Sequence, residues 1–260
     1  MAENFNFQYV ADRKFPAFSS NVLKELLTKW GMYDHMKLQM FTFDKHFQQY
    51  KKNDFVMDFL TDPCVQANLQ VFSKSGSSAS IGALNIDKVF VDPVPCSVLN
   101  MEFFNKLFRQ GLVRDSGMIY KCFDEYIEGF LISDELRKMH LTDESDHYDV
   151  FSDTEKSEFI FRIFAHLCLG GDVCQFEDDV NPYLESAKAI YKDLISVSKD
   201  SRTKEIKTRS HVFKISAWNG NEEMIYPHGK KHSQSFSYLV VDPLKRNVFV
   251  WYHQWLGIAW

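Results

Sequence analysis

A histidine and two cysteines lie close together in the middle of the chain, where they could serve nucleophilic or metal chemistry. His166 and Cys168 are two residues apart in a predicted helix. They therefore point to different faces and cannot form the hydrogen bond that a base and its nucleophile need. With Cys174 they offer at most three ligands, whereas a structural zinc ion takes four. The sequence therefore predicts neither a catalytic pair nor a metal site.

Two short motifs nearby invite comparison with phosphate and calcium sites. Gly170-Gly171-Asp172 lacks the later glycines of a dinucleotide-binding turn and the Gly-Lys-Ser/Thr ending of a P-loop, so it is interpreted as a helix end. The acidic segment 177–179 lacks the regular spacing of a calcium loop and is expected to be a solvated loop before the next helix. No cofactor is predicted. An enzyme of unrecognised type stays open as an alternative, with its pocket near His166, Gly170 and Asp178.

Charge is segregated into an acidic and a basic stretch. Residues 143–158 carry seven carboxylates against one lysine, and residues 199–214 carry six cations against two acids. Complementary charge steers encounters between proteins, so the basic stretch is predicted to dock an acidic partner through Lys204, Lys207 and Arg209. The alternative is that both stretches are solvated faces, since exposed charges contribute little to fold stability.

Aromatic and cationic residues are mixed in the segment 218–232 and at the C-terminus. The first has the composition of a protein interface, although it also fits an ordinary long hairpin loop. Its candidate partner-binding residues are Trp218, Tyr226, His228, Lys230 and Lys231. The aromatic C-terminus must be covered, either by the core or by a partner's groove, and its candidate anchors are Trp255 and Trp260.

Composition limits the class of protein. The 260 residues are 45% apolar and include 24 Phe, which is enough to bury a core and fits a single domain. A net charge of −5 argues against nucleic acid as a partner. No apolar run approaches the ~20 residues that cross a bilayer, so no membrane partner is expected. The five scattered cysteines are typical of reduced thiols and a cytoplasmic location.

Capping residues and apolar periodicity predict four helices that would position these groups. The first follows Ser19-Ser20 and stops at Gly31, and the second follows Asn100 and stops before Gly111. A capping box at Ser152 and Glu155 opens a third, which carries Phe164 on its apolar stripe and ends at Gly170-Gly171. The fourth opens at Asn181-Pro182, with an apolar stripe formed by Leu184, Ala187, Ile190, Leu194 and Val197.

Strands are predicted at both ends of the chain. Two predicted strands, Met36–Phe43 and 86–91, precede most of the helices. Two more, 236–241 and 247–253, are predicted to pair across an Asp-Pro turn. The polar stretch 73–80 is expected to be a mobile loop. Strands placed after helices favour the α+β class. We therefore predict a single compact domain over 1–260, with helices in the N-terminal and middle parts and an antiparallel β-rich part from about 205 to 260.

Several specific peptides resemble the cilia- and flagella-associated protein 300 family, in the family's order from Lys29 to His253. They are Lys29-Trp30-Gly31-Met32, Phe41-Thr42-Phe43-Asp44, Val113-Arg114-Asp115-Ser116-Gly117, Phe130-Leu131-Ile132-Ser133-Asp134-Glu135-Leu136-Arg137, His166-Leu167-Cys168-Leu169-Gly170-Gly171, Pro182-Tyr183-Leu184-Glu185, Ile190-Tyr191-Lys192-Asp193-Leu194, Val212-Phe213-Lys214-Ile215-Ser216-Ala217 and Phe236-Ser237-Tyr238-Leu239-Val240-Val241-Asp242-Pro243.

This resemblance implies a non-catalytic, cilium-specific protein needed for assembly or transport of outer and inner dynein arms, found in the cytoplasm and in the axoneme of the motile cilium. The implied partners are dynein-arm assembly factors, dynein-arm subunits or ciliary transport machinery. The resemblance implies no cofactor, and it identifies no functional residue. A permanent structural component of the axoneme is a further alternative.

Overall fold

Helices and strands are mixed along the chain in the computed structural model, which describes residues 4–73, 76–227 and 232–257. This confirms the α+β class. Short 3-10 turns occur at Tyr33–His35, Gln49–Lys51, Met101–Phe104 and Tyr148–Val150. The described α-helices are α1 Asn21–Lys29, α2 Lys52–Thr61, α3 Pro63–Asn68, α4 Asn105–Arg109, α5 Glu135–Leu141, α6 Asp153–Ser157, α7 Phe159–Leu169 and α8 Asn181–Leu194.

The strands form one large sheet and three small hairpins, and every strand pair described is antiparallel. The strands are β1 Phe7–Tyr9, β2 Met36–Phe43, β3 Gln70–Phe72, β4 Ser78–Ser80, β5 Lys88–Val94, β6 Lys121–Ile127, β7 Phe130–Asp134, β8 Val197–Lys199, β9 Ile206–Thr208, β10 His211–Trp218, β11 Met224–Tyr226, β12 Phe236–Asp242 and β13 Asn247–His253.

The large sheet joins strands from the two ends of the chain. Its order is β1-β2-β13-β12-β10-β11, with β5 on the other side of β10. β12 and β13 form the predicted hairpin, whose turn is held because the Asp242 carboxylate accepts the backbone N–H groups of Leu244 and Lys245, both at 3.0 Å. The antiparallel β-rich C-terminal part is confirmed, and β2 and β5 extend its sheet with earlier segments.

An aromatic cluster packs α2 against this sheet. The Phe59 ring centroid lies 5.1 Å from that of Phe7 and 5.3 Å from that of Phe41, and both pairs meet edge to face. Edge-to-face pairs stabilise by about 0.5–1.5 kcal/mol beyond the area that they bury. The cluster fixes the side of the sheet on which α2 lies.

Side chains of α2, together with Asp62 at the start of α3, contact backbone groups at the β1 and β5 edges of the large sheet. On β1, the Asp62 carboxylate accepts the N–H of Phe7 at 3.3 Å, and Asp58 accepts the N–H of Phe5 just before the strand at 3.0 Å. On β5, Lys52 Nζ donates to the carbonyl of Val91 at 2.6 Å, while Pro93 carries no N–H. These contacts satisfy marginal backbone groups that would otherwise face an incoming strand.

The predicted third helix is two helices. The capping box at Ser152 and Glu155 is present, but it opens the short α6, and the chain leaves helical geometry at Glu158, where ψ is 138°. The reason is that the buried Glu158 carboxylate accepts the N–H and the hydroxyl of Ser97, at 2.9 and 2.5 Å. The main helix, α7, therefore begins at Phe159, and nine of its eleven residues are buried.

A buried ion pair lies where β7 meets α5. Asp134 caps α5 by accepting the N–H of Arg137 at 2.9 Å, and its carboxylate meets the Arg137 guanidinium at 2.6 Å. Both side chains are 1% exposed. The guanidinium also donates to Ser133 Oγ at 2.7 Å, and its carbon lies 3.3 Å from the centre of the Phe176 ring. The peptide 130–137 is thus shaped around one buried charge pair.

Contacts within the chain group the described residues into two compact units. The first comprises 4–14, 34–95 and 194–257 and holds the large sheet, and the second comprises 15–33 and 96–193 and holds α7 and α8. This grouping does not test whether the units fold separately, so a single domain stays a prediction.

The stretch 73–80, which the sequence predicts as a polar loop, contains a short strand. Ser78–Ser80 pairs with Gln70–Phe72 through backbone hydrogen bonds, which do not require apolar side chains. Residues 74 and 75 lie outside the described ranges.

Candidate protein-interaction surface

Gly170 and Gly171 lie against the backbone at the end of α1. The N–H of Gly171 donates to the carbonyl of Trp30 at 2.8 Å. A Cβ on Gly171 would stand 2.0 Å from the carbonyl oxygen of Gly31, and one on Gly170 would stand 2.4 Å from Cys174 Sγ. The space that a phosphate or substrate would need is therefore filled by the protein itself. The helix end predicted here is confirmed, with Gly170 at a φ of 67°.

Replacing Gly171 by alanine is expected to lower the free energy of unfolding by about 3 kcal/mol, the upper end of ordinary overpacking, because a backbone carbonyl must move. Gly220→Ala is the matched control, since neither glycine has a positive φ and the space beside Gly220 is open. Urea unfolding of the two variants measures the difference. Equal stabilities would show that the close approach is not a constraint.

The side chains in and beside the alternative enzyme site differ in burial and protonation. Burial raises the pKa of the Cys168 thiol well above its usual range and that of Cys174 to about 12, so both thiols stay protonated near neutral pH. His166 is buried, whereas Asp178 is exposed and pairs with Lys121 at 2.5 Å. The described residues contain no cluster of three or more His, Cys, Asp or Glu placed to hold a metal ion.

The acidic segment 177–179 serves the fold more than its sequence indicates. Glu177 is mostly buried, and it accepts the ammonium of Lys29 at 2.8 Å and the indole N–H of Trp30 at 3.0 Å. Asp179 accepts the N–H of Asn181 at 2.7 Å, which places negative charge at the start of α8 as predicted. The expectation of a uniformly solvated loop is wrong for Glu177, because Lys29 of α1 and Trp30 just after that helix both donate to it.

Lys204, Lys207 and Arg209 are exposed on the hairpin formed by β8 and β9. The turn of this hairpin is held by Asp200, whose carboxylate accepts the N–H groups of Thr203 and Arg202 at 2.9 and 2.8 Å. These two bonds hold the pKa of Asp200 below its usual value, so it stays ionised. Glu205 meets Lys207 at 3.4 Å. Both acids of the hairpin are thus engaged with the hairpin itself.

Two exposed aliphatic side chains lie on the same hairpin as these cations. Val197 is 50% exposed and Ile206 is 56% exposed. Val197 pairs with Thr208 and Ile206 with Lys199, so alternation along the strands places both side chains on one face of the hairpin. Lys199 shares that face, whereas Lys207, which pairs with Ser198, lies on the opposite face. We call Val197, Ile206, Lys199, Arg202, Lys204, Lys207 and Arg209, taken over both faces of the hairpin, the basic hairpin surface.

Sequence reasoning missed the aliphatic half of this surface. Val197 was assigned to the apolar stripe of the helix that opens at Asn181, but α8 ends at Leu194 and Val197 begins β8, so that assignment is wrong. The short apolar-polar alternation in 197–199 and 206–208 is a weak strand signal that could have revealed the hairpin.

The aromatic residues predicted in the loop 218–232 are placed differently from one another. Tyr226 is 0% exposed, lies in β11 and shares a 2.7 Å hydrogen bond with Ser237, so the expectation of an exposed ring there is wrong. Trp218 is partly exposed at the end of β10, where its ring meets Phe90 at 5.9 Å. His228, Lys230 and Lys231 lie outside the described residues.

The described part of the C-terminal segment is core. Trp255 is buried, and its backbone N–H donates to Ser235 Oγ at 3.1 Å. Its ring stacks on that of His232, with the ring centroids 4.2 Å apart. Of the two positions considered for this residue, core or partner groove, the structure shows the first. Trp260 lies outside the described residues.

The chain is similar in sequence to curated proteins that are associated with cilia and flagella. A curated relative from Chlamydomonas reinhardtii, named cilia- and flagella-associated protein 300, is 34% identical over 242 residues, which are 92% of this chain and 94% of the relative. The relative of the same name from Paramecium tetraurelia is 30% identical over 234 residues, 90% of this chain and 88% of the relative. The chain is therefore one of the proteins associated with cilia and flagella.

The particular family follows from the family model. The model described as cilia- and flagella-associated protein 300 matches residues 4–253, and the chain belongs to that family. No solved structure matches it. No helix among the described residues is long and apolar enough to cross a membrane.

Proposed function

We propose that this chain works without catalysis, as a protein-binding factor in the assembly or transport of outer and inner dynein arms. It acts in the cytoplasm and in the axoneme of the motile cilium. Membership of the family supports the ciliary setting. The observation that carries a binding role is the basic hairpin surface, where exposed cations and exposed aliphatic side chains occupy one short hairpin.

The basic hairpin surface suits an acidic protein partner. Cations on a short hairpin raise the local positive potential, which speeds the encounter with an acidic surface and fades over the ~8 Å Debye length of physiological salt. Val197 and Ile206, on the face that also carries Lys199, then supply apolar contact once the proteins meet, while Lys207 adds positive charge from the opposite face. The partner is a dynein-arm assembly factor, a dynein-arm subunit or a component of ciliary transport.

A charge reversal tests this role. Ciliated cells that lack the endogenous chain receive either wild type or the triple variant Lys204→Glu, Lys207→Glu and Arg209→Glu, and the dynein-arm content of isolated axonemes is measured. We expect the triple variant to leave the axonemes without arms, while its melting temperature stays within a few degrees of wild type because the three side chains are exposed.

The matched control is Lys14→Glu, Lys188→Glu and Lys192→Glu, which changes the net charge equally at three other exposed lysines. This control should restore the arms. Full restoration by the hairpin variant, or equal failure of the two variants, would overturn the proposal. Wild-type protein that resists high-salt extraction of the axonemes would instead indicate a permanent structural component.

A further inference from the structure

A second exposed surface lies on the β6–β7 hairpin. The ring of Phe123 is 97% exposed and that of Tyr126 is 78% exposed, and Met118 and Tyr120 are also exposed. These four lie within nine residues, although only thirteen large apolar side chains are exposed in the described part of the chain. Proteins rarely leave such side chains grouped in water unless the group has a contact to make. The folding of the hairpin does not account for them.

A groove of about 690 Å³ runs beside these rings. It is lined by Phe123, Asp124, Glu125 and Glu135, together with Lys121 and Lys138. β6 pairs only with β7 among the described strands, so its other edge carries no strand. The register of this pair is irregular between Lys121 and Glu125 and regular over 125–127, which is therefore the part of β6 that a strand can join. The groove thus joins the exposed ring of Phe123 and an open strand edge.

Charge in the groove is negative where a ligand would lie. Lys121 already pairs with Asp178 at 2.5 Å and Lys138 with Glu125 at 3.3 Å, and no ion pair within the described residues engages Asp124 or Glu135. The hydrogen bond and charge of Glu125, followed by the charge of Glu135, raise the pKa of Lys138. The field at the groove therefore attracts cations.

We propose that this groove binds an extended basic segment of a partner protein, whose arginines pair with Asp124 and Glu135 and stack on Phe123, while Tyr126 supplies contact area beside the groove. Guanidinium groups combine a bidentate fit to carboxylates with stacking on aromatic faces, so one side-chain type satisfies both halves of the groove. The segment adds to β6 as a strand and alternates cationic with apolar residues.

This surface belongs to the unit that contains α7, whereas the basic hairpin surface belongs to the unit that contains the large sheet. The two surfaces prefer partners of opposite charge. The chain therefore offers separate surfaces for two different protein segments, which goes beyond the proposed function and does not depend on the identity of the acidic partner.

Fluorescence anisotropy with labelled peptides tests the proposal on the full chain. The probes are a short peptide in which arginine and valine alternate, one in which glutamate and valine alternate, and one in which arginine and glycine alternate. We expect the arginine–valine peptide to bind at least about tenfold more tightly than the other two, because it alone supplies charge, apolar contact and strand propensity. Equal binding of the arginine–valine and glutamate–valine peptides would overturn the proposal.

The variant Phe123→Ser with Tyr126→Ser should weaken binding of the arginine–valine peptide about tenfold or more. The control is Tyr50→Ser, because Tyr50 is also 78% exposed but lies in the other unit. An equal loss in the control would show non-specific binding and refute the site. A concentration-dependent dimer that the double variant abolishes would make a second copy the occupant, which also overturns the proposal.

Discussion

Replacing Phe164 by alanine should lower the free energy of unfolding by about 3–5 kcal/mol, the usual loss when a fully buried ring is deleted. Phe164 is 0% exposed at the centre of α7. Its ring centroid lies 4.7 Å from that of Phe104 and 5.7 Å from that of His140. Neither neighbour can fill the cavity without leaving its own contacts, so the loss includes a cavity term. Urea unfolding followed by circular dichroism measures it.

The matched control is Phe123→Ala, which removes the same atoms from a side chain that is 97% exposed. That variant should unfold within about 0.5 kcal/mol of wild type, as surface substitutions usually do. A Phe164→Ala protein as stable as the Phe123→Ala protein would show that α7 does not form the core of its unit.

Replacing Arg137 by methionine should cost about 3–5 kcal/mol, because the Asp134 carboxylate is left buried without its counter-ion. The loss comes from the orphaned charge and not from lost packing, since methionine fills much of the same volume. The double variant Asp134→Asn with Arg137→Met should therefore recover much of the stability. Asparagine removes the charge and still caps α5.

The pH dependence of the Arg137→Met deficit gives a second test. Burial raises the pKa of Asp134, and Arg137 is the strongest influence that opposes the rise, so its removal should raise the pKa further. A carboxyl whose pKa is raised in the folded state favours folding when protonated, and stability falls as pH rises through that pKa. The deficit should be smaller at pH 5 than at pH 8.

The control for this pair is Arg109→Met, which removes an exposed arginine from α4. It should change stability little at either pH. A deficit that is the same at pH 5 and pH 8, with no recovery in the double variant, would contradict the account of a buried charge.

Local signals predicted most elements correctly because they act within one or two turns of chain. Ser20 caps α1 by accepting the N–H of Leu23, and Asn100 accepts the N–H of Glu102, as their positions before apolar runs indicate. The break at Glu158 could not be foreseen, since its cause is a contact with Ser97, 61 residues away in sequence. The pairing of β2 with β13 is likewise non-local.

The candidate surfaces were predicted only in part, because composition does not specify which tyrosine or tryptophan is exposed. Tyr226 and Tyr126 have similar sequence surroundings of polar and apolar residues, yet one is 0% exposed and the other 78%. The difference arises because β11 belongs to the large sheet, whose core includes Tyr226, whereas β6 pairs only with β7 among the described strands. The cations of the basic hairpin surface were found because a charge run is visible in the sequence.

The contacts at the β1 and β5 edges of the large sheet bear on how this protein behaves when crowded. Amyloid growth and strand exchange both begin when one chain's marginal strand templates another's. Here Asp58 and Asp62 on one side, and Lys52 with Pro93 on the other, take up those backbone positions within the same molecule. These contacts leave fewer open backbone groups at the β1 and β5 edges with which a strand of another chain could pair.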